Sequence, residues 1–436
     1  MRLEDMILVS VDDHIIEPAN MWDQHLAVQH KAIKPQLIKR NDGSEYWSIG
    51  GRKIESPGLC AAAGRVPEEY GYESERLDEM RAGCWDITSR IGDMNVNGVL
   101  ASLNFPTTVG MDGIVFKHLE NQDDALVLLR AYNDWHIDEW AGSYPGRIIP
   151  MAIVPYWNIP AAVAEVKRVV AKGCHAVSFS ANPAHHGCPS IHDPAWEPLW
   201  KICAENEVVL NLHISTGGTA PHSSNDTPID AWISMGSGSV IFTASDWLYL
   251  TALDRYPNLK IALTEGGMGW VPWMLERAEY TYRRHKAWTH SDFGPGRGPS
   301  DRFREHFLTC FIDDQFGLEN LDKIGVDNVC FECDYPHSDS AWPNAPEQLW
   351  ESVKTLPPAT LAKITHENAL RHYRFEAIDK MGGRENCTVG ALRRLAKDVD
   401  TTLLSFGGVS PLAPGETRRP VTSGDIAKQL GVLNRN

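Results

Sequence analysis

Eight short apolar runs, most of them followed by a helical pattern, recur between residues 6 and 375. The runs are 6–12, 98–103, 148–154, 175–180, 208–213, 260–265, 307–312 and 329–333. Each is short and rich in Val, Ile, Leu or Phe, as a strand covered on both faces must be. Helical stretches lie near 122–141, 159–171, 239–255, 270–285, 316–324, 346–355 and 360–374, and another begins at Asp193-Pro194, an N-cap followed by proline at the first helical position. Strands of this kind, alternating with helices, predict a parallel (β/α)8 barrel of the TIM type. The rim at the carboxyl ends of its strands is then the place to look for chemistry.

Three segments exceed a minimal barrel. Residues 20–92, after the first strand, are too long for a loop and are expected to form a lid over the rim. Residues 286–304, with Gly294-Pro295-Gly296-Arg297-Gly298-Pro299, read as an irregular insertion. Residues 376–436 form an extension with short helices near 388–398 and 423–432, packed on the barrel or on a second subunit. The expected organisation is a metal-dependent barrel domain over 1–375 and a C-terminal extension over 376–436.

The apolar fraction of 43% is ample for a large core. A net charge of −16 without a basic patch argues against a nucleic-acid partner. No apolar run reaches the about 20 residues of a membrane span, and Met1-Arg2-Leu3-Glu4-Asp5 does not open a signal peptide. The expectation is a cytoplasmic protein that forms a homodimer. Nine scattered cysteines read as reduced thiols. Cys330 and Cys333 lie in one predicted strand and point to opposite faces, so they should not share a zinc ion. Most of the fifteen tryptophans are expected to pack the outer helices. Trp270, Trp273 and Trp342 flank candidate ligands and are the cavity candidates.

Asp12 and His14 end the first strand, two residues apart and therefore on one face. His213 ends the fifth strand, Glu265 the sixth, and Asp334 follows the eighth, with His337 three residues later. In a closed barrel these ends converge. Carboxylates mixed with imidazoles suit zinc, manganese or iron, whereas calcium prefers oxygen alone.

The segments Val11-Asp12-Asp13-His14-Ile15-Ile16-Glu17-Pro18, Leu212-His213, Glu265-Gly266-Gly267-Met268-Gly269-Trp270 and Asp334-Tyr335-Pro336-His337-Ser338-Asp339-Ser340 resemble the amidohydrolase-related TIM barrels. That group includes metal-dependent hydrolases and decarboxylases of aromatic and related acids. The resemblance covers about residues 6–375 and implies metal ligation by Asp12, His14, His213 and Asp334. The departures matter. The fourth strand ends at Ser178-Phe179-Ser180 and offers no bridging lysine. Glu265 stands where many members have histidine, and Asp12 replaces the first histidine of a His-x-His pair. This carboxylate-rich variant is similar to the TIM-barrel non-haem diiron monooxygenases, a group that includes a diterpenoid hydroxylase. That resemblance implies two iron ions held by Asp12, His14, His213, Glu265, Asp334 and His337. It also implies an external electron donor and dioxygen-dependent hydroxylation of a bulky apolar terpenoid or coenzyme-A-linked acyl substrate. The alternative is one zinc or manganese ion in a hydrolase or decarboxylase of a carboxylic acid, with Glu265 or His337 as the acid–base group.

His185, after the fourth strand, is the first choice for an additional metal ligand. His222, Trp270 and Trp342 are candidate substrate contacts. Asp339 is placed to accept the second N–H of His337. His136 reads as a packing residue, and His366 and His372 carry no catalytic role.

Overall fold

The computed structural model describes residues 2–55, 58–70, 76–218, 223–405, 415 and 417–429. In chain order its strands are β1 (Leu8–His14), β2 (Gln36–Lys39), β3 (Glu45–Ile49), β4 (Arg52–Ile54), β5 (Val99–Phe105), β6 (Ile148–Ile149), β7 (Met151–Ile153), β8 (Ala176–Ser178), β9 (Val209–His213), β10 (Lys260–Thr264), β11 (Phe307–Phe311) and β12 (Val329–Phe331). The barrel wall consists of parallel neighbours in the orders β1-β5-β6 and β7-β8-β9-β10-β11-β12. The predicted third strand appears in two pieces because Pro150, between β6 and β7, has no amide hydrogen for the ladder. The wall closes between β12 and β1. There the Asp334 amide donates to the Asp12 carbonyl at 2.8 Å and the His14 amide to the Tyr335 carbonyl at 2.6 Å.

Alternation along the strands divides the core. Val9, Val11, Met151, Ala176, Val209, Ala262, Leu308 and Cys330 form the cluster inside the barrel. Val329, Phe331 and Cys333 pack with the outer helices. Cys330 and Cys333 thus belong to opposite sides of the wall, and all nine cysteines are free. Trp135, Trp140, Trp196, Trp200 and Trp247 are buried in the outer layer. Burying one such ring contributes about 2–3 kcal/mol or more by area. His136 packs there as well, its Nε2 3.1 Å from the Asn104 carbonyl oxygen.

The segment after β1 is structured. β2, β3 and β4 form an antiparallel sheet, and Trp47 is buried beneath it. Further along, the amides of Ala62 and Ala63 donate to the Pro336 carbonyl at 2.9 and 3.0 Å, which brings this segment onto the rim. Much of 286–304 is helical rather than irregular. One helix runs over Val271–Thr289 and a second over Pro299–His306. Pro299 occupies the first turn of the second helix, where a missing N–H costs nothing, so the irregular part shrinks to the residues between the helices.

The first part of the extension joins the inner cluster through Ala377, Cys387 and Leu392, and the Val389 amide bonds to the Met6 carbonyl at 2.8 Å. It therefore seals the barrel at the amino ends of its strands. A later part crosses the β1 insertion, with Val66 donating to the Leu404 carbonyl at 3.1 Å and Leu404 to the Gly64 carbonyl at 2.8 Å. Among the described residues, no helix is long and apolar enough to cross a membrane.

Candidate metal centre

β1 carries an extra residue. Ser10 pairs with Ser102 and Asp13 with Asn104, so three steps on β1 match two on β5. This bulge shifts the phase of the pleat. Val9 and Val11 fill the barrel, and beyond the bulge the inward positions pass to Asp12 and His14. Asp13 turns away, accepting from the Ser10 hydroxyl at 2.9 Å and the Tyr335 amide at 3.2 Å.

His213 ends β9, and its Nδ1 lies 2.8 Å from the Ile214 carbonyl oxygen. That bond places the proton on Nδ1 and leaves the Nε2 lone pair for a ligand. Glu265 and Asp334 adopt left-handed backbone conformations, with φ of 58° and 52°. Such strain costs on the order of 1–3 kcal/mol per residue and persists where surrounding contacts over-determine it. For Asp334 those contacts are the seam to Asp12 and the loop of Tyr335.

The side chains converge closely. His14 Nε2 is 3.4 Å from Asp12 Oδ1, 3.3 Å from Asp334 Oδ1 and 3.2 Å from His213 Nε2. His213 Nε2 is 2.9 Å from Glu265 Oε2 and 3.7 Å from Asp12 Oδ2. His337 stacks on His14 with ring centroids 3.6 Å apart, and its Nδ1 is 2.9 Å from Asp334 Oδ1. Two overlapping groups result, Asp12-His14-His213-Glu265 and His14-Glu265-Asp334-His337, with the ligand atoms of each within 4.8 Å of one another. An ion bound at about 2.0–2.2 Å separates its ligands by about 3–4.4 Å, so either group is compact enough to surround an ion. Both oxygens of Asp12 and of Asp334 are buried without a hydrogen bond among the described residues. Buried carboxylates left this way are costly, and a divalent cation satisfies them. The donor set fits manganese or zinc.

The electrostatics agree. Burial, reinforced by Glu332 and Glu265, holds the Asp12 carboxyl well above the usual carboxylate range. Burial and Glu265 do the same to Asp334. Burial and the imidazoles of His337 and His213 push His14 well below its ordinary value. Burial would raise Glu265, but the adjoining His213 outweighs it and the net shift is downward.

Two contributors escape a reading by strand ends. Glu332 is buried, 3.4 Å from the Glu265 amide, and burial together with Glu265 raises its carboxyl to about 8. Its only sequence signal is a glutamate inside an apolar run. Arg90, fully buried on the helix Ile87–Val96, donates to the carbonyls of His14 and Gly83. No spacing rule links it to β1.

Other candidates lie elsewhere. His185 sits on the exposed turn Pro183–His186, outside both ligand groups, so the expected additional ligand is not assembled there. Trp342 donates to the Asp93 carbonyl at 3.2 Å, beneath the Arg81 guanidinium. Trp270 caps Gly266 at 2.8 Å, and Trp273 is 63% exposed. His222 lies outside the described residues. Asp339 is a nearby charge on His337, after Cys60 and Glu265, and the Nδ1 of His337 lies 2.9 Å from Asp334 Oδ1.

The loop carrying Asp334 is braced from the β1 insertion. Arg81 binds both Asp93 oxygens at 2.7 Å, and the Tyr335 hydroxyl donates to Asp93 at 2.5 Å. A Cβ on Gly83 would fall 2.1 Å from Asp93 Oδ2 and 2.6 Å from the Tyr335 hydroxyl. Gly83→Ala is therefore expected to destabilise the protein by about 1–3 kcal/mol, read as a lower midpoint in chemical denaturation. An unchanged midpoint would show that the brace yields freely.

A barrel with carboxylate and imidazole side chains gathered at its strand ends is the architecture of a metal-dependent enzyme. The chain matches the amidohydrolase family model over residues 22–375 and belongs to that family. Its fold is similar to an amidohydrolase from Mycobacterium avium subsp. paratuberculosis K-10, at 21% identity and TM-score 0.64 over 84% of this chain and 99% of the other. It is also similar to 5-carboxyvanillate decarboxylase from Novosphingobium aromaticivorans with bound manganese, at 17% identity and TM-score 0.58 over 85% and 97%. A third is dihydroxybenzoic acid decarboxylase from Polaromonas sp. JS666, also with manganese, at 19% identity and TM-score 0.51 over 68% and 89%. No curated protein matches the chain in sequence. These findings correct the oxygenase expectation. The family is that of the amidohydrolases, and the manganese-bearing neighbours are decarboxylases, so the diiron monooxygenase assignment and its two iron ions are withdrawn. Nothing in them supports an electron donor or a coenzyme-A link.

Proposed function

We propose that the chain is a decarboxylase of a small carboxylic acid, using one manganese or zinc ion held by Asp12, His14, His213 and Asp334. The observation that carries this reading is that the buried Asp12 and Asp334 oxygens have no hydrogen bond among the described residues and gather around His14 and His213. The manganese-bearing decarboxylases of similar fold support it. When bound, the cation supplies Lewis-acid anchoring of a substrate oxygen. The chain's own groups supply the rest. His337 has Nδ1 2.9 Å from Asp334 Oδ1, and its Nε2, buried without a hydrogen bond among the described residues, is the atom placed to exchange a proton with substrate. The bond from the carboxyl carbon to the substrate breaks, CO2 leaves, and the electron pair left on carbon takes up that proton. Glu265, paired with His213, flanks the same space. The segment around Ala62 and Ala63 is bonded to Pro336, next to His337.

The test is elemental analysis of protein purified without added metal, followed by CO2 release from a panel of aromatic carboxylic acids. About one manganese or zinc per chain and CO2 release are expected. Two metals per chain would overturn the mononuclear site, and no CO2 from the loaded protein would overturn the reaction.

A further inference from the structure

A cavity of about 600 Å³ opens beside His213. It lies between the loops that follow β8 and β9 and the helix Ser237–Leu248. Pockets of about 300–1,000 Å³ hold ligands much larger than one ring, so this space exceeds the needs of a ring anchored at the metal. Its chemistry is selective. Leu212, Val240 and Phe242 give apolar surface, and Phe242 is 72% exposed on a rim that an occupant would cover. Asn182 and Thr243 give hydrogen-bonding groups. Among the described residues no lysine or arginine lines it. Its one carboxylate, Asp246, is already 2.9 Å from His192. A phosphate or second carboxylate in this space would meet no lysine or arginine, and among the described residues the imidazoles of His185 and His213 would be its only cationic partners.

We infer that the acid this protein acts on carries a bulky, uncharged, partly aromatic arm that occupies the cavity beside His213, and that phosphate-bearing acids are refused there. The inference rests on the decarboxylase reading for the position of the carboxyl group. It also fits the loss of the coenzyme-A expectation, since that carrier is rich in phosphate.

The experiment is calorimetric titration of the manganese-loaded full chain with three probes: benzoate, biphenyl-3-carboxylate, and biphenyl-3-carboxylate bearing a phosphate on its distal ring. The neutral biaryl acid should bind at least 10-fold more tightly than benzoate and at least 10-fold more tightly than its phosphorylated form. Thr243→Trp, which fills the cavity, should bring the biaryl-to-benzoate affinity ratio to about one. Ser239→Trp serves the same purpose should the first variant fail to fold. A ratio near one in the unaltered protein, a preserved ratio in the filled variants, tighter binding of the phosphorylated probe, or no binding of any probe would each overturn the inference. Binding is read without turnover. The expected ratios with no CO2 release would sink the reaction and leave the cavity assignment standing.

Discussion

His213→Ala is expected to empty the metal site and end turnover. The residue ends β9 with its proton fixed on Nδ1, and its Nε2 lies within 3.7 Å of His14, Asp12 and Glu265. Its removal leaves the buried Asp12 and Asp334 carboxylates with one nitrogen donor fewer beside them. Losing an outer partner of a metal ligand costs about 10–100-fold in affinity, and losing a ligand should cost more than that. Manganese titration followed by elemental analysis after dialysis reads the effect. Full metal content in the variant would remove His213 from the ligand set. Glu265→Gln is the companion measurement. It keeps the shape of the side chain and should retain one ion, while kcat falls by about 10²–10⁴ if Glu265 exchanges protons with substrate. Loss of the ion instead would make Glu265 a ligand.

The second large effect is a metal-dependent reversal of pH dependence. In the metal-free protein, Asp12 and Asp334 titrate well above their ordinary values because of burial and neighbouring carboxylates, and Glu332 is raised to about 8. The unfolded chain has released all three protons by pH 6.5, whereas the folded chain keeps that of Glu332, and Asp12 and Asp334 are shifted in the same direction. The folded state therefore binds more protons, and its stability falls as pH rises from 6.5 to 8. The slope approaches about 1.4 kcal/mol per pH unit for each proton retained. His14 works in the other direction only below about pH 6.5, where the unfolded imidazole is protonated. Manganese binds the deprotonated carboxylates, so its stabilisation should grow with pH over the same window. Chemical denaturation at pH 6.5, 7.2 and 8.0, with and without manganese, measures both slopes. A metal-free protein that becomes more stable with pH would show that these carboxyls are ionised in the fold.

Much of the barrel was legible in the sequence because every barrel strand is covered on both faces and so reads as an unbroken apolar run. The runs ending at His213 and near Thr264 match β9 and β10 closely. The rim position of Asp12, His14, His213, Glu265, Asp334 and His337 followed from the same pattern, and the structure gathers all six. The bulge in β1 was not legible, because it depends on register against β5, and without it Asp12 would share a face with Ser10. β2, β3 and β4 were hidden in a polar, glycine-containing segment that lacks a long apolar run. Arg90 was missed because a lone arginine on a helix normally reads as solvated surface, and only the fold turns it onto the carbonyl of His14. Carboxylate-rich ligation does not by itself imply two irons, and the oxygenase expectation rested on that feature. The separations that gather the ligands are distances between side chains from opposite ends of the chain, and no spacing within a segment encodes them.

The closing seam of the barrel runs through the metal ligands themselves, Asp334 to Asp12 and His14 to Tyr335. The two strands that meet there lie more than 300 residues apart in sequence, so the loop they close spans most of the chain. Ion binding is therefore coupled to ring closure, and a bound cation would act as a removable clasp on a loop that spans most of the chain. Chelation should loosen this seam before the rest of the wall, with amide exchange rising first at residues 12–14 and 333–335.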